Sequence, residues 1–309
     1  MHLSTFRTFR SWLLIALASV LVAPAAAQPL PVVASFSVLA DLVRVVGGSH
    51  VEVTSLVAPN SDAHVFDPTP ADAKRLANAK LVVINGLGFE GWMDRLIKSS
   101  GYRGSVVVAS RGIKTIQEAA GHGHQHGHSH SHAADPHAWQ NPLNIKQYVQ
   151  NIRVALAAAK PEAAQEFEQR ATAYSRELDA LDQSIRERFK AIPVAQRRII
   201  TSHDAFGYFA AAYNVKFYPL QGLSTGSEPS AADVVRIIDQ IKKNKVTAIF
   251  VENISDSRVL ERLTKESGAR IGGTLYADAL SEPGTAMDTY LKMIEHNAAT
   301  IIKGLSPRQ

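Results

Sequence analysis

The sequence predicts an α/β protein of two lobes, each built on a mainly parallel sheet covered by helices, with one long rigid helix joining them. Three observations carry this reading. Short β-branched runs alternate with amphipathic stretches through the first part of the chain, the pattern of parallel strands linked by crossover helices. The same alternation resumes after residue 195. Between the two, Phe167, Ala171, Tyr174, Leu178, Leu181, Ile185 and Phe189 step by three or four residues while charged residues fill the gaps, which predicts a single amphipathic helix. A chain of 309 residues also exceeds what one core usually serves, so more than one domain is expected.

Residues 1–27 read as a cleavable secretory signal peptide: Arg7 and Arg10 precede an apolar stretch at 12–23, and Ala25-Ala26-Ala27 follows. That stretch is well short of the ~20 residues that span a bilayer, and no later segment is long and apolar enough. The N-terminal lobe is expected at 28–143, with strands at 32–36, 51–57, 81–85 and 106–108. Its helices are marked by the Val38, Leu39, Leu42 and Val46 face, by Pro70-Ala71-Asp72, and by residues 92–97. Residues 116–135 form a loop near its end. A helical segment at 144–191 includes the connector, 161–191, with Pro161 in the first turn where a missing amide hydrogen costs little. About 28 helical residues would extend roughly 42 Å. The apolar stripe covers too few heptads to require a coiled coil. The C-terminal lobe, 192–309, has strands at 198–201, 215–218, 246–251 and 269–275 and helices at 231–244, 255–267 and 285–304. No short-period repeat links the halves, so they are similar in plan rather than copies.

The formal charge is +5; removing residues 1–27 takes away two arginines and no acid, leaving +3 over 282 residues. That excess is scattered, without a basic stripe or interleaved aromatics, and argues against nucleic acid. The chain has no cysteine, which excludes disulfides, thiolate metal sites and a lipid-modified cysteine at the cleavage point. A free periplasmic protein fits.

The loop carries histidines at His122, His124, His126, His128, His130 and His132, separated only by small or polar residues. So many imidazoles without apolar neighbours point to metal contact rather than to a core. Such a tract collects ions without fixing a geometry, so the selective site is expected elsewhere. Three other histidines stand in distinctive contexts: His64 in Asp62-Ala63-His64, His137 in Asp135-Pro136-His137-Ala138-Trp139, and His203 in Ser202-His203-Asp204. His64 and His203 follow predicted strands, where loops at the carboxyl ends line the ligand crevice of an α/β sheet. Asp278, in Leu275-Tyr276-Ala277-Asp278, also follows a strand. Each alone has an ordinary alternative, a surface histidine or a helix-capping aspartate. Together, three imidazoles and a carboxylate form a set that Zn²⁺ accepts without cysteine. His2, His50 and His296 lack comparable surroundings. Asp62, Asp204 and Glu252 are candidates for orienting ligands, and each could equally serve a turn or cap.

At these residues the chain resembles the metal-binding family of periplasmic solute-binding proteins that feed zinc and manganese ABC transporters. The resemblance rests on Asp62-Ala63-His64 with Pro68 and Pro70, on Asp135 to Trp139 with Asn141-Pro142, on Ser202-His203-Asp204-Ala205-Phe206-Gly207-Tyr208, on Leu275 to Asp278, and on the long linking helix. It implies a metal site in the cleft between the lobes, ligated by His64, His137, His203 and Asp278, a monomer, and delivery to a membrane permease, with exchange from a zinc chaperone as a further partner. A histidine-rich loop before the second ligand is typical of zinc members. Manganese members resemble this pattern with a glutamate third; here it is His203, which favours Zn²⁺. Because imidazoles ligate only when neutral, affinity is expected to weaken below a pH of about 6.5. The rival readings are a zinc buffer and a zinc hydrolase. The sequence has no His-Glu-x-x-His, and no enzyme activity is expected.

Overall fold

The computed structural model describes residues 28–117, 134–227, 229–244, 246, 248–255 and 258–306. The expected signal peptide and the histidine run lie outside the described residues. In the first lobe, β1 (Leu30–Ala34), β2 (Val51–Ser55), β3 (Leu81–Ile84) and β4 (Ser105–Val108) form a sheet of order β2-β1-β3-β4, every neighbouring pair parallel. Helices α1 (Ser37–Gly47), α2 (Pro70–Asn78) and α3 (Met93–Ser100) make the crossovers. Thr69 and Asp72 cap α2 reciprocally, with Pro70 at its first position, so its orphan amides are satisfied locally.

The second lobe repeats the plan. Strands β5 (Arg198–Thr201), β6 (Lys216–Pro219), β7 (Ala248–Glu252) and β8 (Arg270–Leu275) run parallel in the order β6-β5-β7-β8. Between the lobes, α4 (Pro142–Ala159) turns through 161–163 into α5 (Ala164–Phe189). The helices of the second lobe are α6 (Gly207–Tyr213), α7 (Ala231–Asn244), α8 (Arg258–Ser267) and α9 (Tyr290–Leu305). In each sheet the first strand lies inside and the chain leaves it in opposite directions, which opens a crevice at the carboxyl ends of β1/β3 and β5/β7.

Three details differ from the sequence expectation. The connector begins at Ala164 rather than Pro161, because residues 161–163 form a tighter turn that closes on the capped end of α4; its 26 residues extend roughly 39 Å. The last helix starts at Tyr290, not 285. Residues 281–288 are folded into a turn by Ser281 N–H to Met287 O and Gly284 N–H to Asp288, and Asp41 of α1 accepts the Tyr290 amide at 2.8 Å. The short α6 has no counterpart among the expected helices; Asn214 ends it in the left-handed conformation that Asn tolerates.

Helix α5 packs on α1, α4 and α9, burying Phe167, Tyr174, Leu178, Ile185 and Phe189. One contiguous apolar cluster therefore runs through both lobes, from Val32 to Leu305. A second, smaller cluster lies in the C-terminal lobe, where Ile200, Tyr218 and Ile249 meet Ile237, Ile241, Leu260 and Leu263 of α7 and α8. Among the described residues no helix is long and apolar enough to cross a membrane.

Candidate metal centre

His64 sits in the loop between β2 and α2. Its backbone N–H donates to Asp62 Oδ1 at 2.8 Å, the Ala63 carbonyl accepts the Trp92 indole N–H at 2.8 Å, and the ring meets the edge of Phe89. The turn is thus fixed on both sides of the ligand. His137 uses the same Asp-x-His arrangement more fully: Asp135 Oδ1 accepts both its backbone N–H and its Nδ1–H, each at 2.8 Å. Asn85 braces this loop by donating to Pro136 O while accepting from Tyr148.

His203 leaves the end of β5. Glu252, at the end of β7, accepts the backbone N–H groups of Ser202 and His203 with Oε1 and the His203 Nδ1–H with Oε2, at 2.8, 3.0 and 2.5 Å. Asp278 follows β8 in a loop tied to Asn297 through Tyr276 and docked onto the His137 loop, because Trp139 and Gln140 both donate to Ala277 O.

These supports bring all four side chains together. Asp278 Oδ2 lies 3.3 Å from His64 Nε2 and 3.1 Å from His203 Nε2, Oδ1 lies 3.7 Å from His137 Nε2, and the His64 and His137 Nε2 atoms are 3.3 Å apart. One ligand atom from each falls within 4.8 Å of all the others. A tetrahedron with bonds of about 2.05 Å has edges of about 3.3 Å, so the spacing suits a zinc-sized ion. His137, His203 and Asp278 are wholly buried, and the His64 side chain is 5% exposed.

The polar atoms are unsatisfied in a way that points to a cation. His203 Nε2 and both Asp278 carboxylate oxygens are buried without a hydrogen-bond partner, an arrangement that costs free energy unless an ion fills it. With Nδ1–H of His137 and His203 given to carboxylates, Nε2 is the atom that each ring turns to the centre. Burial disfavours charge on His203, but Glu252 and Asp278 outweigh it and hold its pKa well above the ordinary value. Burial would raise Asp278, yet His203 and His137 hold its carboxyl well below the usual range. Each of the two groups therefore favours the charged form of the other across the centre.

Among the described residues the other two histidines serve elsewhere: His50 pairs with Glu166 on α5 and His296 contacts Thr274 O. Among the orienting candidates, Asp62 and Glu252 hold ligands directly, whereas the Asp204 backbone N–H donates to Gly222 O. Asp135 was missed as an orienting group, although the repeated Asp-x-His at 62–64 and 135–137 was the available signal. Ser202 Oγ is buried without a partner and His203 points at Asp278, so these neighbours form no hydrolytic triad.

The chain is similar to known proteins over most of its length. The family model described as zinc-uptake complex component A, periplasmic, matches residues 32–304. The manganese-binding lipoprotein MntA of Bacillus subtilis is 36% identical over 285 residues, covering 90% of each chain. The iron-binding protein YfeA of Yersinia pestis is 32% identical over 278 residues, covering 90% of this chain and 87% of that one. The zinc-binding protein TroA of Treponema pallidum is 34% identical over 291 residues, covering 92% and 91%. The solved structure of periplasmic TroA superposes with a TM-score of 0.83 at 32% identity, over 90% of this chain and 100% of that chain. With the match spanning both lobes and the connecting helix, the chain belongs to the periplasmic zinc-uptake component A family, the metal-binding, non-enzymatic substrate-binding proteins of ABC transporters.

Proposed function

We propose that the mature protein is a free periplasmic monomer that captures one Zn²⁺ between its lobes with His64, His137, His203 and Asp278 and hands it to the permease of an ABC importer. The observation that carries this reading is the convergence of three imidazole Nε2 atoms on the buried, unpartnered Asp278 carboxylate. Relatives are named for zinc, manganese and iron, so the metal is argued from the donors. Three nitrogens and one carboxylate suit Zn²⁺ better than the harder Mn²⁺, which prefers an oxygen-rich set. Lobes at 28–143 and 192–309, joined by the helical segment 144–191, would present the ion at their common rim to the permease. The absence of cysteine from the sequence leaves no residue for the lipid that anchors some relatives, which favours the soluble form.

His122, His124, His126, His128, His130 and His132 would capture Zn²⁺ weakly and raise its concentration near the cleft, or exchange it with a zinc chaperone. The described residues on either side support this reading: Ile116 O accepts the Asp135 amide, and Asp135 orients His137. The deciding experiment is a competition titration with Zn²⁺, Mn²⁺, Cu²⁺ and Ni²⁺ on the mature protein and on a variant lacking residues 121–132. A single tight Zn²⁺ site unchanged by the deletion is expected, with slower loading or transfer. Comparable Zn²⁺ and Mn²⁺ affinities would overturn the assignment.

A further inference from the structure

The two Asp-x-His turns of the N-terminal lobe are used in different ways. In both, the aspartate Oδ1 accepts the histidine backbone N–H at 2.8 Å. At Asp135 the same oxygen also holds the imidazole Nδ1–H. At Asp62 the second oxygen instead accepts the hydroxyl of Thr225, in the opposite lobe, at 2.5 Å. His64 is also the least buried of the four candidate ligands. Its ring is positioned by its turn and by packing, and that turn is held from across the cleft.

Thr225 stands on a braced support. Gln221 Nε2 donates to Ser227 O, the Gln221 amide donates to Ser202 O, and the Asp204 amide donates to Gly222 O. The loop that presents the hydroxyl is therefore anchored on both neighbours of His203. A second bond across the cleft, Asn253 Nδ2 to Asn60 Oδ1 at 3.1 Å, and the Asn60 amide to Leu280 O at 2.9 Å, pin the start of the same turn. Asp62, Thr225, Gln221 and Ser202 also line a half-open pocket of about 590 Å³.

We propose that Thr225 is a positioning residue that latches the His64 turn across the cleft through Asp62, so that His64 is the ligand that lets go first and Thr225 sets the rate of metal release. His137 and His203, each gripped by a carboxylate within its own lobe, stay in place as the latch opens. The inference rests on the metal-capture reading of the centre.

The test is stopped-flow release of Zn²⁺ to a chelator from the loaded mature protein, comparing wild type with T225V, T225A and T225S. A hydrogen bond to a charged group is typically strong enough that its loss accelerates release about tenfold. T225V and T225A should show this acceleration, with association rates changing far less than release and unchanged melting of the metal-free protein. T225S, which keeps the hydroxyl, should restore the wild-type rate. Release from T225V and T225A within about twofold of wild type, or equal acceleration in T225S, would overturn the latch alone. Failure of the wild type to take up Zn²⁺ would overturn the metal reading and the latch with it.

Discussion

Replacing Gly207 by alanine tests whether Asp135 positions His137. Gly207 opens α6 and has an ordinary helical backbone, without the positive φ that would make a side chain strained. A Cβ there would lie 2.5 Å from Asp135 Oδ2 and 2.9 Å from Ile116 Cδ1. Contacts under 3.0 Å are essentially never tolerated, so the carboxylate and the start of α6 must separate by at least about 0.5 Å. Both cannot yield freely. Tyr208, the next residue, accepts the Ile116 amide and donates to Asp135 O, and the other Asp135 oxygen holds two N–H groups of His137. The strain therefore passes to the imidazole. Disturbing a group that orients a metal-binding histidine typically costs ten- to a hundredfold in affinity, about 1.4–2.7 kcal/mol. Alanine is the better helix former, so melting of the metal-free protein should change little. Chelator competition with Zn²⁺ reads the affinity. Unaltered affinity in a folded G207A protein would refute the claim that Asp135 sets the place of His137.

Three further outcomes are expected. In E252Q one carboxylate oxygen becomes an amide donor, so the Ser202, His203 and His203 Nδ1 donors can no longer all be satisfied; Zn²⁺ affinity should fall ten- to a hundredfold by chelator competition. His64→Ala and His203→Ala should each cost far more affinity in the same titration than deletion of residues 121–132. Burial pushes the carboxyl of Asp41 up to about 6, against the Tyr290 amide and Arg44, which favour its charge. A carboxyl raised above its unfolded value of 3.8 stabilises the fold fully only below that value, and the contribution is lost as pH rises through 6. Denaturant unfolding should thus find D41N, which never ionises, gaining on the wild type by about 2 kcal/mol between pH 4 and pH 7.

Much of this molecule is legible in its sequence because the signals are local. The valine runs at 32–33, 82–83 and 106–108 announce strands, and the spacing of Phe167 to Phe189 announces the connector, since each period reflects one buried face. Strand ends predict where a crevice opens, so His64, His203 and Asp278 could be gathered from separate loops. Two of the failures involve partners distant in sequence. Helix α9 starts late because Asp41, 249 residues earlier, caps it. Thr225 meets Asp62 across 163 residues, and neither residue's type announces the other. The seven-residue α6, Gly-Tyr-Phe-Ala-Ala-Ala-Tyr, is too short to display a period.

The division of the apolar interior into two clusters has a consequence for how the fold comes apart. The larger cluster threads α1, α5 and α9, so the N-terminal lobe cannot melt while leaving its partner intact. The smaller one, under α7 and α8, shares no such axis. Native-state hydrogen exchange should therefore report two cooperative units, with amides of α7 and α8 opening at lower free energy than those of α5. The segment leading into α7 carries Thr225, so the layer expected to open first adjoins the residue that grips the His64 turn. Excursions that begin as partial unfolding of that layer would then be a built-in source of motion for giving up the ion, without any bending of the long helix.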